Sequence, residues 1–520
     1  MHTDIDSDDT SEGPQSRVAE PDSAELNAAE PDSPGPDAPG PEPIAAEPPP
    51  ALSPRTERIV TWVMLGIAVG FVVWQLSPRD LLRDTTPTGG DMGAHVWGPA
   101  YLRDHLLPHG RLSGWAPDWF AGFPAFRFYM VLPALFIALL SYVLPYGIAF
   151  KLIVITGVVT LPVCVYVMAR LFDAPFPIPP ILAVVTLPFL FDTSYAIYGG
   201  NIESTLAGEF AFALSLSFAV LALGVVHRGL KTGKHRGLAA TLLALTVLCH
   251  IIPAFFCATG CAVMFAMRAD RSRGRWAAVT GGAALLLASF WLLPFIGLHA
   301  WFNDMGWAKR VDYHHALAPN HLVWALVLAA VGTVIAVSRG NRLGVFLAIM
   351  AVVVALAFWL LPKAALWNAR LLPFYYLCVY LLAGFAIAEG ARWLLEVARL
   401  PSPTTSVVGI AFPLVIAAIV VYQVARPLDL VPGASPSAAD RSVLTYWPAS
   451  DFRGYEYAPA YNEYQALNAT MRTIGRTRGC GRAMWEYGTD FLNRYGTTMA
   501  PMLLPHWTDG CIPSMEGLYM

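Results

Sequence analysis

The sequence predicts an all-α, polytopic membrane protein with about 11–12 hydrophobic segments, because each span needs roughly 20 apolar residues. Hydrophobic residues make up 56% of the 520-residue chain and charged residues only 14%, whereas a soluble domain is about 25% charged. Long apolar runs, separated by short polar stretches, recur from residue 59 to residue 425. These observations exclude a large soluble enzyme.

The N-terminal segment, residues 1–54, has a different composition. It holds thirteen Asp or Glu residues and a single Arg, Arg17, among many Pro, Ala and Ser residues. Such a segment cannot bury enough apolar surface to offset its ordering entropy, so we expect a disordered tail. Arg55 and Arg58 precede the first span and predict that the tail stays in the cytoplasm. The tail is either inert or a binding segment for a partner.

Residues 55–426 form the predicted membrane domain. Its candidate spans are residues 59–76, 152–170, 179–195, 206–226, 276–298, 322–337, 343–361, 371–388 and 407–425. Two further apolar stretches, 129–145 and 238–267, have lengths that do not fit a single simple span.

Loop charge orients these segments, since basic residues stay on the cytoplasmic side. The basic loops are residues 227–237, 268–275, 338–342 and 389–393. The stretch 238–267 joins two of them, so it must enter the membrane and return, with a break near Pro253. The stretch 129–145 then makes no net crossing and would be re-entrant or interfacial. If it does cross, the orientation of the next segments is reversed. This topology places the first loop, residues 77–128, and the C-terminal region, residues 427–520, on the extracytoplasmic side.

The C-terminal region is rich in Trp, Tyr and Gly and is predicted to form a small α/β or irregular domain. Its last residues do not resemble a closing polar tail, so we expect the domain to be cut short. Cys480 and Cys511 would form a disulfide if this region faces an oxidising space. The other cysteines stand in apolar runs and are expected to be small core residues: Cys164, Cys249, Cys257, Cys261 and Cys378.

The first loop contains the candidate pair Asp91 and His95, in the sequence DMGAHVW. Four residues apart on a helix, the two side chains would share one face. An acid beside an imidazole can act as a general base or hold a metal ion, and the alternative is an Asp that caps a helix. Trp97 and Trp119 in the same loop would either stack on a sugar ring or anchor the loop at the lipid–water interface.

Two acids and one arginine stand at the mouths of predicted spans. A carboxylate in the apolar zone costs about 2.5–3.5 kcal/mol on insertion scales, so Glu203 and Glu209 indicate either a function or a pairing with a cation. Arg370 would either clamp a phosphate through two hydrogen bonds or extend to lipid headgroups.

Three further residues are candidates for substrate binding. His250, at the predicted break, is either such a residue or a satisfied core histidine. Asp304 stands in a loop with several histidines, and the alternative there is a solvated loop. Asn368 belongs to the motif WNARLLPF. The histidines after Asp304 could ligate a divalent metal, although no zinc spacing occurs. No Walker loop or GxGxxG turn occurs, so no nucleotide-binding motif is present. We expect no nucleic-acid partner.

The chain resembles the GT-C glycosyltransferase superfamily in its N-terminal span, acidic first loop with W-x-P and G-x-P elements, many spans and outer C-terminal region. More narrowly, GGDMGAHVW, APDWFAGFPAFRFY, GGNIESTLAGEF and WNARLLPF resemble a family of bacterial multi-pass proteins labelled 6-pyruvoyl-tetrahydropterin synthase-related, membrane domain. The resemblance covers roughly residues 57–520. The soluble pterin synthase holds zinc with three histidines, and this chain has no clear site of that kind, so no pterin chemistry is expected.

GT-C enzymes pass a sugar from a polyprenyl-phosphate or polyprenyl-diphosphate donor to an acceptor at the outer face. The resemblance implies that Asp91 takes the proton of the acceptor hydroxyl and that Arg370 binds the donor phosphate. Glu209 is the second catalytic candidate. Glu209 and the remaining polar candidates would orient the acceptor or bind a metal: Glu203, His250 and Asp304. The paired acidic motif of metal-dependent members is missing from this chain.

The leading hypothesis is a membrane glycosyltransferase of the cell envelope. Its partners would be membrane lipid, a polyprenyl-linked sugar donor and a glycan or lipid acceptor. A lipid or solute transporter would instead line a path with charges such as Glu209, and a non-catalytic scaffold would leave the polar side chains dispersed. Convergence of Asp91, Glu209 and Arg370 in one groove would favour the enzyme.

Overall fold

The membrane domain is built from long apolar helices. In the computed structural model, which describes residues 52–302, 307–363, 366–398, 402–426 and 443–518, eight helices are long and apolar enough to cross a membrane. They are Pro54–Gln75, Tyr146–Leu171, Ile202–Thr232, Arg271–Gly297, Tyr313–Ser338, Arg342–Leu360, Asn368–Leu394 and Ser406–Ala425. The prediction of a polytopic α-helical membrane protein is therefore confirmed. The acidic tail lies outside the described residues, apart from positions 52–54.

Polar capping residues set the ends of several spans. Ser53 accepts a hydrogen bond from the Thr56 N–H at 3.2 Å, and Pro54 occupies the first helical turn, where no backbone donor is needed. Asn341 likewise accepts from two backbone N–H groups at the start of the helix Arg342–Leu360. These capping side chains mark the first residue of each helix, which hydropathy alone does not define.

The predicted break between residues 238 and 267 falls at His250. The two helical arms are Arg236–Cys249 and Ile251–Ala266, and His250 between them is extended, with φ −166° and ψ 131°. Each arm has fewer residues than the roughly 20 of a full span.

Contacts with the helix Phe210–Thr232 show that the second arm returns. At the apex, Ser215 donates a hydrogen bond to the carbonyl of His250 at 3.1 Å. After the second arm, Arg268 lies 3.4 Å from His227, near the other end of the same helix. The segment therefore enters and comes back as a hairpin.

Two apolar stretches are interrupted. Residues 129–145 contain only the helix Leu132–Leu140, which at 1.5 Å per residue is about 14 Å long and fits the prediction of no net crossing. The full span expected at 179–195 is wrong, because the chain there forms Ile178–Val184 and Thr186–Leu190 instead. Pro188 in the second piece lacks the N–H that would continue the helix, so the helix breaks before it.

Short elements connect the spans: Pro78–Leu81, Met92–His95, Trp97–Tyr101, Leu102–Leu106, Leu107–His109 and His299–Trp301. Three spans are divided into consecutive helical pieces: Ile202–Ser204, Thr205–Glu209 and Phe210–Thr232; Tyr313–Leu317, Asn320–Leu322 and Val323–Ser338; and Asn368–Leu371 and Leu372–Ala398. The last span lies within the helix Ser402–Ala425. The C-terminal region has Val443–Arg453, Tyr455–Tyr457, Tyr461–Arg478, Thr489–Leu492, Asn493–Tyr495, Ala500–Leu503 and Leu504–Trp507.

The described part of the C-terminal region is helical, which differs from the α/β character expected. The two strands in the described residues, Gly114–Ala116 and Phe123–Ala125, instead form an antiparallel pair within the first loop. Ala483 and Ser514 in the C-terminal region form an isolated bridge and no strand.

The first loop and the C-terminal region pack together at one end of the membrane domain, here called the loop face. The Thr88 N–H donates to the Asp451 carbonyl at 3.0 Å. The Trp119 Nε1 donates to the Met502 carbonyl at 2.8 Å. Because both parts contribute to the loop face, a site there can be built from residues far apart in sequence.

The basic loops gather at the opposite end, as their common charge predicted. Arg228 and Lys231 pair with Asp173 at 2.6 and 2.7 Å. Arg339 pairs with Glu389 at 2.7 Å. Which of the two ends faces the cytoplasm stays a prediction from the charge of these loops.

Close packing of two spans fixes the helix that carries the candidate site. A Cβ atom on Gly157 would lie 2.3 Å from the backbone nitrogen of Leu214, so only glycine permits this approach. Ser217 donates a hydrogen bond to the Gly157 carbonyl at 2.7 Å. A small residue and a hydroxyl at the contact are typical of packing between membrane helices.

Candidate active site

Asp91 lies on the loop face at the start of the short helix Met92–His95. Its side chain makes no capping hydrogen bond, so the alternative of a structural cap does not describe it. Its backbone N–H donates to the Ala207 carbonyl at 3.1 Å. This bond holds Asp91 beside the chain that leads into Glu209, while the residue stays accessible to solvent.

A kink immediately before Glu209 brings the two acids together. The π-helical turn Thr205–Glu209 contains Gly208 at φ 121°, a conformation that side-chain-bearing residues rarely adopt. A Cβ on Gly208 would also lie 2.9 Å from the Cβ of Asp91. Both the backbone turn and the contact therefore require glycine.

Arg370 completes the cluster of charges from a different span. Its Nη2 donates to Glu209 Oε1 at 2.5 Å, and the two side chains are only 18% and 19% exposed. The guanidinium has five N–H donors, and within the described residues this is its only hydrogen bond. The ion pair thus leaves donors that a phosphate could use.

His250, at the hairpin apex, lies on the other side of Glu209. Its Nε2 is 4.0 Å from Glu209 Oε2. The Ile252 N–H donates to His250 Nδ1 at 3.2 Å, so a neutral ring carries its proton on Nε2. That proton faces the carboxylate and can help to orient it.

The surroundings of Asp91 suit a general base. Loss of hydration raises the pKa of Asp91 to about 6, the negative charge of Glu209 adds to the rise, and Arg370 opposes it. A base is most effective when its pKa lies near the working pH. Asp91, Glu209 and Arg370, three candidates from separate parts of the sequence, therefore meet in one place.

Residues 126–426 match a protein family described as 6-pyruvoyl-tetrahydropterin synthase related domain, membrane protein. The match covers more than half of the chain. The chain belongs to this family. The resemblance to this family, noted in the sequence motifs, is thereby confirmed. A comparison with curated proteins found no match in sequence.

Two solved structures are similar to this family member. ArnT from Cupriavidus metallidurans bound to undecaprenyl phosphate is 13% identical, with 87% of this chain and 85% of that chain covered and a TM-score of 0.48. Its apo state is 12% identical, with 88% and 86% covered and a TM-score of 0.49. At this level of similarity neither structure adds to the assignment of function.

His95 in this family member is a buried packing residue. Its ring contacts the rings of Tyr129 and Phe210, with centroids 5.5 Å apart in both cases. Burial lowers the pKa of His95 to about 3, so the imidazole is neutral at physiological pH. This placement differs from the substrate-binding role expected for His95.

Tyr129 is a site residue that the sequence did not reveal. Its hydroxyl lies 3.5 Å from His95 Nε2. Burial raises its pKa, and the charges of Glu209 and Asp91 raise it further, so the hydroxyl stays protonated beside the two acids. Tyr129 opens the apolar stretch 129–145, where an interfacial aromatic residue is the ordinary expectation.

The proposed sugar-stacking role of Trp97 and Trp119 is wrong. The two side chains are 1% and 0% exposed, and their ring centroids are 4.3 Å apart. The Trp97 Nε1 donates to Asp118 Oδ2 at 2.6 Å. Fully buried rings cannot stack on a ligand, and they form the core of the first loop.

Asn368 holds the preceding loop in place. Its Oδ1 accepts from the Arg310 N–H at 2.9 Å, and its Nδ2 donates to the carbonyls of Arg310 and Phe358 at 2.9 and 3.1 Å. All polar atoms of this amide are thus used within the protein, which contradicts a substrate-binding role. Asp304, in the same loop, lies outside the described residues.

The remaining acid, Glu203, is buried one turn before the kink and interacts electrostatically with Asp192. Asp192 in turn lies 3.2 Å from His321 Nε2. Among the described residues, no three His, Cys, Asp or Glu side chains form a group that could hold a metal ion. To hold a metal ion, the carboxylates of Asp91 and Glu209 would need a further ligand.

Cys480 and Cys511 form a disulfide, with Cα atoms 4.8 Å apart. The other cysteines are free and buried or half-buried, as expected for small core residues.

Proposed function

We propose that this protein is a membrane glycosyltransferase that moves a sugar from a polyprenyl-phosphate-linked donor to a cell-envelope acceptor at the loop face. The observation that carries the proposal is the convergence of Asp91, Glu209 and Arg370. It combines an accessible carboxylate, with a pKa of about 6, and an arginine held by an ion pair at the mouth of the spans. The scaffold hypothesis expected these side chains to be dispersed.

The proposed reaction is a direct displacement at the anomeric carbon of the donor. The acceptor oxygen bonds to that carbon as the bond from the carbon to the phosphate oxygen breaks. Asp91 accepts the proton of the acceptor hydroxyl. Arg370 stabilises the negative charge that develops on the leaving polyprenyl phosphate, while Glu209 and His250 orient Arg370.

An apolar groove supports a lipid-linked donor. A cavity of about 490 Å³ lies between the helices Val323–Ser338, Arg342–Leu360 and Leu372–Ala398, and its lining is mainly Ala, Val and Leu side chains. Tyr375 in its wall is one and a half turns after Arg370 along the chain. A polyprenyl chain in this groove would lie against the helix that begins just after Arg370.

The test uses the full-length protein in lipid nanodiscs with a panel of polyprenyl-phosphate sugars. We expect donor consumption with at least one sugar, measured by mass spectrometry of the released polyprenyl phosphate, and consumption that is at least about a hundredfold slower with Asp91→Asn. If every donor stays intact with the wild-type protein and a membrane-extract acceptor, the glycosyltransferase proposal is wrong. Transport of the same lipids between leaflets would then support the alternative of a transporter.

A further inference from the structure

A second cavity lies between the first loop and the C-terminal region. Its volume is about 470 Å³, within the roughly 300–1,000 Å³ of small-molecule sites. The Gly89–Gly90 dipeptide forms one wall and the segment around Asp451 another. Trp447, Tyr457 and Asn493 add aromatic and amide groups.

Asp451 is the unusual group in this cavity. The residue is 5% exposed and lines the cavity wall. Burial raises the pKa of Asp451 well above its usual value. Its carboxyl is therefore placed to hydrogen-bond with hydroxyl groups of a molecule bound in the cavity.

The backbone around Asp451 is shaped to keep the carboxyl in place. A Cβ atom on Gly89 would lie 2.3 Å from Asp451 Cγ, so the carboxyl rests directly on the glycine backbone. The Thr88 N–H fixes the Asp451 main chain from the same side. Larger residues at position 89 would push the carboxyl out of the cavity.

The cavity adjoins the proposed reacting centre. Asp91 directly follows the Gly89–Gly90 wall. Leu206, another lining residue, precedes Ala207, whose carbonyl accepts the hydrogen bond of the Asp91 N–H. The proposed base is therefore the residue that directly follows one wall of this cavity.

The lining favours a carbohydrate. Aromatic faces at Trp447 and Tyr457 provide apolar surfaces for the C–H faces of a sugar ring, while Asn493 and Arg453 provide polar groups at the rim. A protonated carboxyl both donates and accepts hydrogen bonds, as neighbouring hydroxyl groups do.

We propose that this cavity binds a sugar residue of the acceptor, with the Asp451 carboxyl hydrogen-bonded to its hydroxyl groups and the Gly89–Gly90 wall directing one hydroxyl toward Asp91. The role as an acceptor site rests on the proposed glycosyltransferase function. Binding of the sugar does not, and it can be measured without any reaction.

The experiment measures binding of methyl glycosides of mannose, glucose, galactose and arabinose to the full-length protein in nanodiscs by saturation-transfer NMR. We expect at least one to bind, Asp451→Ala to weaken it about tenfold through the lost hydrogen bonds, and Asp451→Asn to retain most of the affinity. Asp490→Ala, an exposed acid of the same region, is the matched control and should bind normally. If Asp451→Ala fails to fold, Ala449→Phe fills the same cavity and should abolish binding.

The outcomes separate this proposal from the proposed function. Binding of none of the four glycosides, or binding that Asp451→Ala and Ala449→Phe both leave unchanged, overturns the acceptor cavity. Binding that depends on Asp451 in a protein that consumes no donor supports the cavity and counts against the glycosyltransferase. Asp91→Asn should leave glycoside binding within about threefold of wild type, because Asp91 is placed to act on the hydroxyl after binding.

Discussion

At the scale of single residues, Asp91 offers the most direct test of the chemistry. Asp91→Asn keeps the shape of the side chain but removes its ability to accept a proton. We expect turnover to fall by about 10²–10⁴-fold, the usual contribution of a general base. Expression should not change and the thermal unfolding temperature should not fall, since the carboxyl caps no helix. Unchanged turnover would remove Asp91 from the mechanism.

The pH dependence of turnover tests the same carboxyl independently. Because a base must be deprotonated, activity should decline as the pH falls through about 6. Glu209→Gln removes a negative charge that raises the pKa of Asp91, so the acid limb of any residual activity should move to lower pH. A limb that stays in place would argue against coupling between the two acids.

Protonation of Asp91 at low pH should not unfold the protein. The folded-state pKa of Asp91 lies above the value of about 3.9 for an unfolded chain. Protonation between these two values therefore stabilises the folded state. Loss of activity near pH 5 should not coincide with unfolding caused by this group, which circular dichroism at the same pH can verify.

At the scale of elements, the kink at Gly208 should be as important as the acids that it positions. Gly208→Ala forces a side chain into a backbone at φ 121° and against Asp91. A displacement of about 1 Å can cost 10²-fold in rate, and we expect a loss of that order in kcat. Gly281→Ala is the matched control, since nothing lies within 4 Å of its Cβ position. Equal activity of the two variants would contradict the role given to the kink.

Periodicity and charge predicted most elements but not their interruptions. The hairpin around His250 followed from two basic loops at its ends, because a segment between them must return. The prediction of a full span at 179–195 was wrong. It was based on apolar composition and gave too little weight to Pro188, whose missing N–H interrupts the helix. Trp97 and Trp119 were misjudged because composition cannot distinguish a buried aromatic residue from a stacking platform.

At the scale of the whole molecule, the disulfide should stabilise the C-terminal region. It closes a loop with a sequence separation of 31, worth about 3–4 kcal/mol in the chain-entropy account. The double variant Cys480→Ser/Cys511→Ser should lower the first thermal transition, followed by tryptophan fluorescence. Reductant should lower that transition in the wild type and leave the variant unaffected. A wild-type transition that does not respond to reductant would contradict this prediction.

The orientation of the molecule is testable with single cysteines. Arg111 on the loop face and Lys234 at the basic end are both exposed. If the basic end is cytoplasmic, Arg111→Cys should react with a membrane-impermeant maleimide in intact cells, and Lys234→Cys should react only after lysis. The reverse pattern would place the proposed active site in the cytoplasm.

The sequence by itself determined the class of protein, the hairpin and the charges at the two ends, because hydropathy and loop charge act along the chain. It also singled out Asp91, Glu209 and Arg370 as candidate site residues. Only the tertiary structure decided that these three meet, that Asn368 and the two tryptophans support the scaffold, that Tyr129 lies beside the two acids, and that Asp451 lines a cavity. The reason is physical: proximity, burial and the use of a side chain's hydrogen bonds depend on residues far apart in sequence, which no local pattern records.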